Sequence, residues 1–385
     1  MSRLLVVIAD RLSHLLAKGE ATPGYYNPGG VFDRVDILMI NDDAPDPEAV
    51  RPMVGRAELG LHNLPPPSFL FTAGWRPALL RRWTARAVKL AAGLQPHLVR
   101  CYANWLNACA GVEIGRALRL PVAISIHVNA DVDLRARASL REPREWLLWH
   151  ASRAVERYAL PRADVVLPVY EPAARYARAM GARRVEVVYN AVARDRLLPK
   201  ESYRISGPPR VVSVGRQFGA KNPVNLIRAC AQLGARITLI GSGPAHEQLR
   251  AVAADCGADA EFIAAMSNDR LASSLRDYDV FATHSEYWEI SKAVLEALHV
   301  GLPVVLNRRR GELVPELDGE HCLLVDDSVS GYAEALGSLF ASEEVRARMG
   351  TSARRVARER FDPGVMEARV AGIYRELLGA GGGGA

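Results

Sequence analysis

The sequence predicts an α/β protein with two successive parallel sheets. Short apolar runs of strand length alternate with helix-length segments along most of the chain, a pattern typical of βαβ units whose helices cover both faces of a parallel sheet. A chain of 385 residues is too long for one ordinary domain and fits two. The strand-like runs are LLVVIA (4–9), VDILMI (35–40), LVR (98–100), PVAISIH (121–127), DVVLPV (164–169), VEVVY (185–189), RVVSVG (210–215), ITLIG (237–241), AEFIA (260–264), DVFAT (279–283), PVVLN (303–307) and CLLVD (322–326).

The first domain is predicted over residues 1–195. Its opening run, 4–9, is short and meets Asp10, so we expect a buried strand there and not a signal peptide. Residues 194–209 are polar and contain prolines before a new strand begins, which places the domain boundary near this segment.

The second domain is predicted over residues 196–360. A helix is expected within 361–378, and the chain ends in a glycine-rich tail at 379–385. This tail has no side chains to bury, so we expect it to be disordered.

The most informative stretch of the second domain is 278–327. Its first strand leads into a polar loop that contains Glu286 and Glu289, and a helix is expected from about 290 to 299. Gly301 is expected to end this helix in a left-handed conformation before the next strand begins.

Composition excludes several classes of protein. No stretch reaches about 18 consecutive apolar residues, so no transmembrane helix is expected. The five cysteines are scattered and lack the spacing of a metal site, which favours reduced thiols in the cytoplasm over disulfides or zinc.

Positive charge is concentrated in the first half. Residues 1–195 carry 26 basic and 19 acidic residues, a net charge of +7, whereas residues 196–385 carry 23 and 24, a net charge of −1. The basic residues cluster at 75–89 and 134–157, beside apolar side chains such as Trp83. Two interpretations stay open: a solvated helix face, or a patch that meets anionic lipid or a diphosphate-linked acceptor. No nucleic-acid-binding motif accompanies the charge, so nucleic acid is not expected as a partner.

The loop after the run RVVSVG has the features of an anion site. Arg216 and Lys221 lie between a strand and a helix that is expected to begin with Asn222 as its N-cap and Pro223 as its first residue. Loop amides, the helix dipole and the two cations all favour an anion there. Only five of the 49 basic residues are lysines, and Lys221 and Lys292 both lie near the amino end of an expected helix, where a bound phosphate would favour a compact cation.

Glu296 stands in an almost wholly apolar segment, 293–306. A carboxylate on a helix that packs against a sheet needs polar partners. The expected partners are ligand groups at the carboxyl end of the sheet, where open α/β folds bind ligands.

These motifs resemble those of the retaining nucleotide-sugar glycosyltransferases of the GT-B fold, the glycosyl transferases group 1 family. The resemblance implies two Rossmann-like βαβ domains that face each other across a cleft, with the C-terminal helix crossing back to the first domain. A third glycine typical of dinucleotide sites is replaced by His246, which disfavours an NAD-dependent oxidoreductase. The matching stretches are GR (215–216) with Lys221, GSGP (241–244), EAL (296–298) and GLPV (301–304).

The resemblance also implies which residues bind the donor. Arg216, Lys221 and Lys292 would hold the diphosphate, and Glu296 would bind the ribose. The implied donor-binding residues are Arg216, Lys221, Ser291, Lys292, Glu296 and, in a first-domain loop, Gly19.

Two catalytic positions are implied as well. His127 would contact the donor sugar or the acceptor. The family has a glutamate eight positions before Glu296, where this chain has Trp288. A one-residue deletion would place Glu289 in that role, facing the sugar, with Glu286 as the alternative.

The sequence therefore predicts a cytoplasmic, retaining, metal-independent hexosyltransferase without a cofactor. Its donor would be a nucleoside-diphosphate sugar and its acceptor a glycan or lipid-linked molecule, as in bacterial cell-surface polysaccharide synthesis. Under the membrane interpretation of its basic residues, it would contact the inner face of the membrane peripherally. Two alternatives stay open: a nucleotide-sugar epimerase of the same fold, and a catalytically silent nucleotide-sugar-binding subunit of a glycan-assembly complex.

Overall fold

The two predicted sheets are present in two compact units. One unit comprises Met1–Tyr189 and Gly364–Ala385, and the other comprises Asn190–Pro363. Each contains one six-stranded parallel sheet, so the prediction of an α/β protein with two Rossmann-like domains is confirmed. The computed structural model describes residues 1–17, 22–67, 77–127, 143–309, 311 and 313–381.

In the first unit the strands are β1 (Arg3–Ile8), β2 (Arg34–Met39), β3 (Glu58–Asn63), β4 (Leu98–Tyr102), β5 (Val122–Ile126) and β6 (Val165–Pro168). They pair in the order β3-β2-β1-β4-β5-β6. Most of them are buried on both faces, which explains why they appear in the sequence as continuous apolar runs. The helices are α1 (Leu12–Ala17), α2 (Pro47–Val50), α3 (Pro77–Leu94), α4 (Leu106–Leu118), α5 (Pro143–Ala159) and α6 (Glu171–Ala179).

In the second unit the strands are β7 (Arg210–Val214), β8 (Arg236–Ile240), β9 (Ala260–Ile263), β10 (Val280–Thr283), β11 (Val304–Asn307) and β12 (Cys322–Val325). They pair in the order β12-β11-β10-β7-β8-β9. The helices are α7 (Val224–Gln232), α8 (His246–Asp255), α9 (Asn268–Ser274), α10 (Lys292–Val300), α11 (Val329–Ala341) and α12 (Glu343–Arg360).

Both sheets have one point where the strand order reverses. In the first sheet this point lies between β1 and β4, and in the second between β7 and β10. The loops that leave neighbouring strands on opposite sides of such a point open a crevice, and open α/β sheets bind their ligands there.

The C-terminal helix, α13 (Pro363–Gly381), belongs to the first unit over nearly its whole length. One apolar face packs into that unit's core, so the prediction that the helix returns to the first domain is confirmed. The helix continues through 379–381, which were expected to be disordered, and residues 382–385 lie outside the part described. The packed residues are Met366, Val370, Ile373, Tyr374 and Leu377.

One strand prediction was wrong, and one strand was missed. Residues 185–189 form an extended segment that touches β6 through an isolated bridge between Val166 and Val185. Conversely, β3 was not predicted, because ELGLHN is a partly exposed strand that mixes polar residues with a glycine and contains no apolar run.

Candidate functional site

The candidate site of the second unit lies at the reversal of its sheet. The loop after β7 carries Arg216 and Lys221, and the loop after β10 carries Glu289. The two loops touch, because the backbone N–H of Glu286 donates to the carbonyl of Ala220 at 2.8 Å. Parallel strands therefore bring together residues that are almost 70 positions apart in the sequence.

Lys221 and Glu289 form an ion pair in this site. The lysine Nζ lies 2.5 Å from the glutamate Oε1, and the two side chains are only 22% and 17% exposed. The Ser285 hydroxyl donates to the same oxygen at 3.4 Å. Glu286, the alternative for the first glutamate, is exposed. Of the two candidate glutamates, Glu289 is thus the one held against a predicted phosphate-binding cation.

Arg216 is the exposed cation of the site. Its guanidinium carbon lies 5.2 Å from the centre of the Phe218 ring, and no ion pair is recorded for it among the residues that the structure describes. Arg216 and Lys221 line one small pocket with Ser213, Gln217, Leu239 and Thr283. An exposed guanidinium beside an ammonium that is held by an ion pair is suited to binding an anionic ligand.

The GSGP turn shapes the floor of this loop. A Cβ atom on Gly241 would lie 2.1 Å from the carbonyl oxygen of Gly215, and one on Gly243 would lie 2.2 Å from that of Gln217. The amide of Gln217 donates to the Ser242 carbonyl at 3.0 Å. Both glycines are therefore needed for two backbones to approach closely.

Helix α10 begins at this site and ends as predicted. The Ser291 hydroxyl caps it by accepting from the Val294 amide at 3.3 Å, and Gly301 ends it in the left-handed region with φ of 89°. Lys292 lies in the first turn and Glu296 one turn later, both half-buried. The structure thus places all three predicted donor-binding residues of this helix in or next to its amino-terminal half.

The predicted cap of helix α7 was wrong in detail. Pro223 occupies the N-cap position, and no side chain caps the helix. The backbone N–H of Asn222 donates instead to Nδ1 of His284 at 3.2 Å.

His284 is a residue of the site that the sequence did not suggest. It is 4% exposed, and its Nε2 lies 3.2 Å from Oδ2 of Asp327. Because Nδ1 accepts a hydrogen bond, the proton of the neutral ring is assigned to Nε2, facing Asp327. Burial lowers the pKa of His284, which favours the neutral ring. The available signal was its place directly after a buried strand.

Of the two first-unit residues, only His127 can be located, since Gly19 lies outside the described residues. The His127 ring follows β5 and stacks on Tyr102, with ring centres 6.1 Å apart and an interplanar angle of 16°. Tyr102 also contacts the rings of Tyr25 and Tyr26. His127 thus belongs to an aromatic cluster at the carboxyl end of the first sheet.

A buried guanidinium lies next to this cluster. Arg100, on β4, is 4% exposed; it donates from Nη2 to the Ser125 hydroxyl and lies 5.0 Å from the Tyr102 ring centre. Within the described part of the chain, its Nε and Nη1 have no hydrogen-bond partner. Its position in the strand-like run 98–100 was a signal of burial, whereas its charge is typical of exposed residues.

The basic segments of the first unit are partly helical and partly outside the described residues. Segment 75–89 contributes to α3, where Trp83 is 2% exposed and donates Nε1–H to the Leu64 carbonyl at 3.1 Å. Trp83 is therefore a core residue and not part of a surface patch. Segment 134–157 is described only from residue 143.

Among the described residues, no helix combines the length and the apolar composition that a membrane span requires. They also contain no group of three or more His, Cys, Asp or Glu side chains arranged to hold a metal ion.

Comparison with known protein families divides the chain between two related models. Residues 33–196 match the model described as Glycosyltransferase Family 4, and residues 196–356 match the model described as Glycosyl transferases group 1. Residues 196–356 thus belong to the group 1 glycosyltransferases.

Curated relatives of this chain are distant. A lipopolysaccharide core biosynthesis glycosyltransferase from Rhizobium meliloti is 30% identical over 172 residues, 43% of this chain and 51% of the relative. A sulfoquinovosyl transferase from Arabidopsis thaliana is 26% identical over 299 residues, 72% of this chain and 56% of the relative. The chain thus spans about half the length of these relatives.

Solved structures share the fold of this chain. Sucrose-phosphate synthase from Thermosynechococcus elongatus superposes with a TM-score of 0.76 at 16% identity, covering 99% of this chain and 100% of that one. The Anabaena protein HepE, solved in complex with UDP and glucose, gives 0.70 at 16% identity, covering 98% and 100%. These matches support the GT-B fold.

Proposed function

We propose that this glycosyltransferase moves a sugar, with retention of anomeric configuration, from a nucleoside-diphosphate sugar to a glycan or lipid-linked acceptor. The Lys221–Glu289 pair beside exposed Arg216 carries the proposal. It joins a phosphate-binding cation to a carboxylate suited to a sugar, at the reversal of a parallel sheet.

The donor diphosphate would bind where the cations converge. Arg216 and Lys221 would stabilise the negative charge that develops on the leaving diphosphate, aided by Lys292 and the first amides of α10. Preorganised charge of this kind can take the place of a metal ion. That a structural neighbour was solved with UDP supports a nucleotide-sugar donor.

The remaining roles follow the chemistry of the side chains. Glu289 would face the donor sugar and Glu296 would accept hydrogen bonds from the ribose. Ser291 would hold the amino end of α10 in place. His127 and Gly19 would act from the first domain, His127 on the donor sugar or acceptor hydroxyl and Gly19 on the donor phosphates.

The acceptor belongs to the glycans or lipid-linked molecules of bacterial cell-surface polysaccharide synthesis. Support comes from the name of the Rhizobium meliloti relative, which places that protein in lipopolysaccharide core synthesis. We also propose peripheral contact with the inner face of an anionic membrane, because the net positive charge lies in residues 1–195.

A thermal-shift panel of UDP, GDP, ADP and their sugars tests the donor site. The correct nucleotide at about 100 times its Kd should add about 2.7 kcal/mol to the free energy of unfolding. Arg216→Ala and Lys221→Ala should each weaken binding by roughly 1.5–3 kcal/mol, since each removes a charge-assisted contact. Arg228→Ala, at an exposed arginine on α7, is the control and should bind as the wild type does.

The same nucleotide sugar, incubated with and without acceptor, separates the alternatives. Release of nucleoside diphosphate with a product of unchanged anomeric configuration supports the proposal. Conversion of the sugar without diphosphate release would identify an epimerase, and binding without turnover would identify a silent subunit.

A further inference from the structure

Two residues at the end of β11 hold the loop that carries Glu289. Asn307 is 3% exposed. Its Oδ1 accepts from the Ser285 amide at 2.9 Å, and its Nδ2 donates to the Ser285 carbonyl at 3.0 Å. One side chain thus satisfies both backbone groups of Ser285 and continues the pairing of β10 with β11 beyond its last backbone pair.

Arg309 makes the second connection. Its Nε donates to the carbonyl of Tyr287 at 2.8 Å, and its Nη1 donates to the backbone carbonyl and to Oδ1 of Asn307, both at 2.6 Å. One guanidinium therefore ties the middle of the loop after β10 to the first turn after β11. A planar fork with donors at fixed angles can make these contacts together, which the point charge of a lysine cannot.

Arg309 also acts on Glu289 through charge. Burial lowers the pKa of Arg309, and the Glu289 carboxylate opposes that effect. Glu289 lies two residues beyond the carbonyl that Arg309 holds, and its own ion pair is with Lys221. Under the proposed function, Lys221 binds the donor diphosphate. When a diphosphate takes Lys221 as its partner, Arg309 stays as a cation that acts on the Glu289 carboxylate.

We propose that Arg309 is a positioning residue that sets the place of Glu289 against the donor sugar. This inference rests on the role of Glu289 given under the proposed function. The hydrogen bonds of Arg309 go to Tyr287 and Asn307 and not to Arg216 or Lys221. Under the proposed function the two cations bind the diphosphate, so loss of Arg309 should affect turnover more than nucleotide binding.

The matched control is the neighbouring arginine. Arg308 has a 62% exposed side chain and a single distant ion pair, 3.9 Å from Oδ1 of Asp326. Arg308→Met removes the same charge and a similar side chain one position away without touching the loop. A difference between the two variants therefore measures the contacts of Arg309, not the net charge of the site.

The test compares Arg309→Met, Arg309→Lys and Arg308→Met for turnover of the nucleotide sugar selected by the thermal-shift panel and for binding of the free nucleoside diphosphate. We expect Arg309→Met to lower kcat about 10- to 100-fold, as misplacement of a reacting group does, with nucleotide affinity changed less than about 3-fold. Arg309→Lys should recover part of kcat, and Arg308→Met should behave as the wild type does.

A double-mutant cycle with Glu289→Ala completes the test. If Arg309 acts through Glu289, the double variant is no slower than Glu289→Ala alone, whereas independent roles give multiplied losses. Multiplied losses, or an Arg309→Met enzyme as active as Arg308→Met, would overturn the inference about Arg309 but leave the proposed role of Glu289 intact. A fully active Glu289→Ala enzyme would overturn the proposed role of Glu289 and the inference with it. If Arg309→Met does not fold, Arg309→Lys supplies the same cycle.

Discussion

At the scale of single residues, the guanidinium groups of Arg309 and Arg100 differ in the partners that compensate their charge. Arg309 donates to three oxygen atoms, whereas Arg100 donates to Ser125 and keeps its Nε and Nη1 nitrogens without a hydrogen-bond partner among the described residues. The Arg100 guanidinium lies over two aromatic rings instead, 5.0 Å from the Tyr102 ring centre and 5.9 Å from that of Tyr374. Cation–π contacts therefore compensate part of the burial of Arg100, while hydrogen bonds compensate that of Arg309 and hold its loop.

The buried histidine of the site makes stability depend on pH. The folded-state pKa of His284 is lowered by burial and by Arg309, against the opposing effect of Asp327. The ordinary pKa of a histidine is about 6.5. Between this pH and the lowered folded-state pKa, His284 is protonated in the unfolded chain but stays neutral in the folded chain. Stability is therefore fully present above about pH 6.5 and is lost as pH falls toward the lowered pKa.

Thermal melts between pH 5 and pH 7.5 check this expectation with His284→Asn. The asparagine amide can accept from the Asn222 amide as His284 Nδ1 does, but it cannot be protonated. The melting temperature of the wild type should fall more steeply below pH 6.5 than that of the variant. Parallel curves would show that His284 does not carry the effect.

At the scale of elements, the sequence predicted the strands that consist of continuous apolar runs. Eleven strands follow such runs, and Gly301 ends α10 as expected. The unpredicted strand β3 lacks an apolar run, and 185–189 has one without forming a strand. Contacts of Arg309 and His284 with distant loops could not be predicted, because they depend on which strands lie side by side and not on local spacing.

The C-terminal helix depends on a close approach that one glycine permits. Gly29 has φ of +67°, and a Cβ there would lie 2.7 Å from the Ala371 Cβ on α13. Gly30 has φ of +58° with no atom within 4 Å of the same position. Alanine is strained in this backbone region at both residues, but it collides with the helix only at residue 29.

Gly29→Ala should therefore destabilise the protein by roughly 1–3 kcal/mol more than Gly30→Ala, the range expected for an overpacked contact. Chemical denaturation of the two variants measures the difference. Equal losses would mean that the loop moves aside and that α13 tolerates the added methyl group.

At the scale of the whole molecule, charge is divided between the two halves of the chain, +7 in residues 1–195 and −1 in the rest. Part of the positive charge is exposed on α3, at Arg81, Arg82, Arg86 and Lys89. On α5, Trp146 is 36% exposed and contacts the His150 ring at 4.1 Å. Basic helices with an interfacial tryptophan fit a surface that meets anionic lipid.

Cosedimentation with vesicles tests this surface. Binding to anionic vesicles should exceed binding to neutral ones at low salt, because each cation near such a surface contributes about 1 kcal/mol. It should disappear near 1 M salt, where the Debye length is about 3 Å.

The pair Arg82→Glu with Arg86→Glu should weaken binding to anionic vesicles, whereas Arg348→Glu with Arg358→Glu, on exposed positions of α12, should not. Equal effects of the two pairs would make net charge responsible instead of a surface on α3, and absence of binding at low salt would favour an acceptor that is not held in a membrane.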